Sequence, residues 1–141
     1  MEYLGLVAAA AAAWIFGAVW YTALGKPYQR ALGKGPGASA GAGATNQDSC
    51  KGQPMPVAPL AICFVAELVM AMALSHVLAR MSVVGWSWGA VVGAIVGVGV
   101  IAPTVIVNHL FPGRGQTLMA IDGLHWAGVA VIEGAILGAF A

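Results

Sequence analysis

The chain has 141 residues, 60% of them hydrophobic and only 8% charged, with a net charge of +1 and a mean hydropathy of +0.87. A soluble domain is about 25% charged, so this composition argues against a water-dissolved monomer and makes lipid the solvent for most of the surface. The near-neutral balance gives no reason to expect nucleic-acid binding, and Cys50 and Cys63, the two cysteines, match neither a disulfide framework nor a zinc spacing.

Residues 4–24 form the first apolar run, long enough to span a bilayer. Glu2 stands where a signal peptide would carry basic residues, and no small-x-small cleavage site precedes a polar start, so the run reads as a span. Gly5, Ala9, Ala13 and Gly17 recur every fourth residue and make a smooth helix face on which another backbone can lie close. Trp20 and Tyr21 end the run, as amphipathic rings do at the headgroup layer.

Residues 26–56 are polar and of low complexity, rich in Gly, Ala, Ser and Pro, and such a stretch builds no core. Its start, 26–34, suits a short interfacial helix with Tyr28 and Leu32 toward lipid and Arg30 toward water. Residues 35–44 read as flexible linker.

Residues 57–79 are the second span. Pro59 sits in its first turn, where proline is tolerated, Glu67 lies near its middle, and His76 and Arg80 lie near its far end, within reach of the interface. Residues 86–111, the third span, exceed the roughly 20 residues a bilayer requires, so tilt or a bend is expected. Pro103 gives a reason for the bend, since it removes a backbone hydrogen bond. Gly89, Gly93 and Gly97 make two overlapping GxxxG motifs, a seam for close packing within the chain or between copies. Pro112-Gly113-Arg114-Gly115 is a turn by residue type. Residues 117–140 are the fourth span, with Gly134 and Gly138 as another GxxxG. The expected fold is therefore all-α: a single domain of four transmembrane helices in a compact bundle.

Basic residues set the expected orientation. Lys26, Arg30, Lys34 and Lys51 lie in the first loop and Arg114 in the third, whereas the opposite side carries only Arg80. That bias places both loops in the cytoplasm and both termini outside, in the periplasm of an inner-membrane protein.

Ionisable groups inside a membrane cost several kcal/mol unless paired or hydrated, so each needs an explanation. They concentrate around the turn between the third and fourth spans: Asn108, His109, Arg114, Asp122 and His125. On the fourth helix Asp122 and Glu133 lie about 20° apart, with His125 about 60° to one side. On the third, Thr104 and Asn108 share a face. Folding at the turn brings Asn108 and Asp122 to similar depth, with Arg114 in reach of Asp122 or a lipid phosphate. Thr104, Asn108, Arg114, Asp122, His125 and Glu133 thus form the candidate polar cluster. It either locks the hairpin, lines a small ligand or headgroup cavity, or, with Glu67, relays protons.

Nucleophile chemistry has little support. Cys63 has no histidine near it in sequence, and no GxSxG, HExxH or phosphate-loop pattern appears. His76, His109 and His125 are the residues that would ligate haem or metal, but His76 is expected on the far side from the other two, so no cofactor or metal is expected.

Two blocks carry a family resemblance. AAWIFGAVWYTALGKPYQRALGK, residues 12–34, is similar to an opening span that ends in G-x-x-W-Y and continues into a G-K basic stretch. APTVIVNHLFPGRGQTLMAIDGLHWAGVAVIEGAILGAF, residues 102–140, resembles an A-P-T…N-x-L-F-x-G-R…I-D…H…G-A-I-L-G pattern. Both are features of DUF1761, a family of small bacterial membrane proteins of unknown function. The resemblance implies a four-span membrane protein and assigns no activity, catalytic residue or cofactor.

The sequence as a whole favours a non-enzymatic inner-membrane protein that acts by helix association, as a homo-oligomer or an accessory subunit of a larger complex. Its partners would be lipids and other membrane chains, and its packing faces would use Gly5, Gly17, Gly89, Gly93, Gly97, Gly134 and Gly138. The alternative is a small transporter or a ligand- or lipid-binding protein that uses the polar cluster. A cofactor-dependent redox protein is a third and weaker class.

Overall fold

A computed structural model of the chain describes residues 2–33 and 57–141, which contain helices and turns and no strand. The linker reading for 35–44 lies outside the described residues, as do Lys34, Cys50 and Lys51. The elements are α1 (Glu2–Ala23), α2 (Gly25–Ala31), α3 (Val57–Arg80), α4 (Trp86–Val96), a π-helical turn (Gly97–Ile101), α5 (Ala102–Leu110) and α6 (Gln116–Phe140). Among the described residues four stretches are long and apolar enough to cross a membrane: Tyr3–Ala23, Val57–Arg80, Trp86–Leu110 and Gln116–Phe140. The third of these runs unbroken through α4, the π turn and α5. The chain is thus an all-α, four-span bundle, as its hydropathy predicts.

The last helix is the axis of the bundle. Of its apolar window 44% is buried, against 28% for α1 and 17% for each of the other two spans. It packs against α1, α3 and the whole length of the third span. Outward faces carry large apolar side chains such as Ile62, Val69, Trp86, Trp88, Ile95 and Val98, all exposed. Water would penalise so broad an apolar surface, whereas hydrocarbon does not.

Small residues set how closely α4 approaches α6. A Cβ on Gly89 would overlap the carbonyl oxygen of Gly134, one on Gly93 that of Ala130, and one on Gly134 that of Gly89. A Cβ on Gly97 would stand 2.9 Å from Ala127 Cα, and one on Gly138 would stand 2.6 Å from Gly85 O. Backbone therefore rests on backbone along the seam. The Gly85 N–H also donates to Gly138 O at 2.7 Å, which ties the start of α4 to the end of α6. On α1, the stripe of Gly5, Ala9 and Ala13 is buried, and a Cβ on Gly5 would meet Phe140 at 3.0 Å.

Pro103 accounts for the π turn. In a regular helix its ring presses on the carbonyl four residues back and its nitrogen donates nothing. Widening the preceding turn relieves both problems, and Ala102 N–H accordingly reaches back five residues to Gly97 O. At the other end of this span, Gly113 takes φ +70°, with Gly113 N–H on Leu110 O at 3.0 Å and Arg114 N–H on His109 O at 2.9 Å. This is a Schellman stop. It fixes the backbone at His109 and turns the chain into α6.

Candidate functional site

Three helix ends meet at the turn between α5 and α6. Trp20 and Tyr21 close α1, His109 lies in the last turn of α5, and Asp122 follows in the second turn of α6. Asp122 is buried, and both its oxygens are engaged. The Tyr21 hydroxyl donates to Oδ1 at 2.7 Å, and His109 Nε2 lies 2.8 Å from Oδ2, where its N–H donates. One residue back, Ile121 O accepts the Trp20 indole N–H at 3.1 Å. A carboxylate offers only acceptors, and here two donors from two other helices satisfy it. The clasp therefore joins α1, α5 and α6.

That bond fixes the chemistry of His109. A neutral imidazole that donates from Nε2 keeps its lone pair on Nδ1. His109 Nδ1 is buried and has no hydrogen-bond partner among the described residues. It is a buried polar atom left without a partner, on a ring oriented by its bond to Asp122.

His125 sits one turn further along α6, inside an aromatic box. Phe16 stacks on its ring with centroids 5.8 Å apart and planes 3° apart. Tyr21 and Trp126 lie at 4.8 and 5.1 Å, and Trp20 at 6.5 Å. Gly17 leaves room for the imidazole, since a Cβ there would stand 2.9 Å from His125 Nε2. Both ring nitrogens are buried and unpartnered among the described residues.

Other positions expected in the cluster lie elsewhere. Asn108 is exposed, and so is Thr104, whose hydroxyl returns to Val100 O on its own helix at 2.8 Å. Arg114 is exposed and forms no ion pair among the described residues; His109 is the partner of Asp122 there. The pairing of Asp122 with Asn108 and Arg114 is thus replaced by a pairing with His109 and Tyr21.

The π turn is the reason. Counted at 100° per residue from Gly97, an uninterrupted α-helix brings Asn108 to within about 20° of the seam and leaves His109 about 120° away. A π turn takes up one extra residue, about 100° of phase. His109 then arrives where Asn108 was expected. Pro103 was the available signal, but it marks a bend without giving the size of the phase shift.

The short helix α2 also turns inward. Tyr28 is half-buried and meets Tyr21 edge-on with centroids 5.3 Å apart, rather than facing lipid. Burial, and after it the Asp122 carboxylate, hold the Tyr28 hydroxyl above its usual range, while Arg114 acts in the opposite direction. Leu32, just past the end of α2, is exposed.

Glu133 is at the far half of α6, away from the clasp. It is 0% exposed, and neither of its oxygens has a partner among the described residues. Glu67 of α3 is also buried, with Oε2 unpartnered, and lies close enough to interact electrostatically with Glu133. Sequence periodicity puts Asp122, His125 and Glu133 on one helix face, and all three are buried. They do not form one cluster, because Val129 and Ala130 are packed between His125 and Glu133. Among the described residues no group of three or more His, Cys, Asp or Glu is placed to hold a metal ion. The larger described cavity, about 490 Å³, opens at the opposite end of the bundle and touches neither Asp122 nor Asn108.

Comparison with known proteins gives one match. The model of a family described as "Protein of unknown function (DUF1761)" matches residues 4–138, nearly the whole chain. No curated protein and no solved structure matches.

Proposed function

We propose, from the premise that this chain belongs to the DUF1761 family, that it is a proton-handling membrane protein in the class of small transporters, not an enzyme. One observation carries the reading. A buried carboxylate is held by Tyr21 and by His109 Nε2, while His109 Nδ1 stays buried and unpartnered. An intramembrane ionisable group in such a setting is by default functional. The described cavities lie away from the clasp, so the ligand that suits it is the smallest one, a proton. In this reading the proton is held at His109 Nδ1, the one nitrogen of the clasp without a partner among the described residues, while Nε2 stays bonded to Asp122.

The reading extends to orientation. With the basic first and third loops in the cytoplasm of a bacterial inner membrane, the clasp lies near the inner leaflet and both termini are periplasmic. Association with other chains, as homo-oligomer or accessory subunit, is the second reading. The close approach of α4 to α6 occupies Gly89, Gly93, Gly97, Gly134 and Gly138 within the chain. Association would therefore use the outer apolar faces, which lipid also explains.

Proton flux into liposomes carrying a trapped pH dye, driven by a potassium diffusion potential, tests the proposal. Flux is expected with the wild-type chain, and it should be lost in Asp122→Asn and His109→Gln and kept in Asn108→Ala. Wild-type liposomes as proton-tight as empty ones would overturn it.

A further inference from the structure

The larger cavity has a composition the clasp does not explain. It is lined by the end of α3, the start of α1 and the end of α6, with a volume of about 490 Å³, inside the roughly 300–1,000 Å³ range of small-molecule sites. Its wall divides by chemistry. Leu6, Leu137 and Phe140 supply apolar surface, and Ser75, His76 and Arg80 bring polar groups along the last turns of α3. His76 and Arg80 are four residues apart and so lie on one helix face. Both are exposed, and Arg80 has no ion pair among the described residues.

The backbone does not need Arg80 either. Three carbonyls of the last turn of α3 are already taken, with Met81 N–H on Val77 O at 3.1 Å, Ser82 N–H on Ala79 O at 3.2 Å and Val83 N–H on Leu78 O at 3.0 Å. The guanidinium is left with five donors in a planar fork, and that fork matches the oxygens of a phosphate. A free anion would leave the apolar wall unused. A plain hydrocarbon would leave Arg80 and His76 unused. One ligand class answers both.

We propose that this cavity binds an amphipathic anion, with an apolar chain against Leu6, Leu137 and Phe140 and a phosphate head at Arg80 and His76. The chemistry fits the headgroup and upper chain of an anionic phospholipid. The site lies at the other end of the bundle from the Asp122 clasp and does not depend on the proton reading.

Native mass spectrometry of the full chain in neutral detergent tests it, with phosphatidylglycerol, phosphatidylcholine of the same chains, and inorganic phosphate as probes. One basic side chain near a headgroup contributes about 1 kcal/mol, so phosphatidylglycerol should bind about fivefold tighter than phosphatidylcholine. Arg80→Gln should remove that preference, and Arg80→Lys, which keeps the charge and loses the fork, should retain only part of it. Leu6→Trp, which fills the apolar part, should weaken both lipids. Inorganic phosphate should not compete. Equal binding of the two lipids, an unchanged preference in Arg80→Gln, or displacement of the lipid by inorganic phosphate would each overturn the proposal.

Discussion

The two halves of α6 are held in opposite ways. Its C-terminal half lies backbone against backbone on α4, with Gly134 and Gly138 facing Gly85 and Gly89. Its N-terminal half is held by side chains, with Asp122 bonded to Tyr21 and His109 and His125 boxed by aromatic rings. The glycine half is fixed by shape and tolerates no added atom. The clasp half is fixed by donors and acceptors, and it tolerates changes that keep them. Lipid offers no hydrophobic force to press helices together, so a membrane bundle must rely on close packing and hydrogen bonds, and this chain assigns one to each half of a single helix.

That contrast can be broken most severely at the seam. Gly93→Leu puts a branched side chain where even a Cβ would overlap the Ala130 carbonyl. Backbone on both sides cannot yield, so the loss should be at least about 3 kcal/mol, the upper part of the usual overpacking range. Thermal unfolding in detergent should show a large drop or no folded protein. Normal folding would mean that α4 and α6 are not in backbone contact.

The clasp half should respond less and more selectively. Asp122→Asn keeps one acceptor and turns an amide donor toward Tyr21 or His109, leaving a buried donor unsatisfied at a cost of about 1–3 kcal/mol. Arg114→Ala should stay within about 0.5 kcal/mol of wild type, as exposed substitutions do. An equal loss in both would restore the Arg114 pairing that the turn sequence implies. Between neighbours, His109→Ala should cost about 1–2 kcal/mol through its lost charge-assisted bond, and Asn108→Ala should cost almost nothing. Unfolding midpoints of the two variants side by side read the phase of the helix directly.

The legibility of these halves from sequence differs for the same physical reasons. Length and hydropathy are local, so the four spans could be read from composition alone, and the four-residue spacing of Gly89, Gly93 and Gly97 marks a face without reference to any partner. The partner of that face is not local, and within-chain and between-copy packing looked alike. Asp122 stood out as a charge in an apolar run. Its partners did not. Tyr21 reads as a headgroup anchor in the sequence, because nothing in α1 reveals that its hydroxyl meets α6. His109 lost its place to Asn108 because a uniform 100° count cannot anticipate the π turn.

A change that should leave the fold nearly as stable as before tests that last point. Gly99 lies in the π turn, and the Cβ position there faces open space. Deleting it should let the span close into a continuous α-helix and still bring His109 to Asp122, because the removed residue is the one that the wide turn absorbs. Pro103 would then sit in a regular helix and press on the preceding turn, at a cost of about 3 kcal/mol. Combining the deletion with Pro103→Ala removes that strain. The double change should fall within about 1 kcal/mol of wild type, since Ala is the best helix former, with the His109 imidazole still bonded to Asp122 by nitrogen NMR in nanodiscs. Deleting Val105 instead, beyond the π turn, should swing His109 off the clasp by about 100° and abolish that signal. If the two deletions behaved alike, the π turn would not be what selects His109 over Asn108.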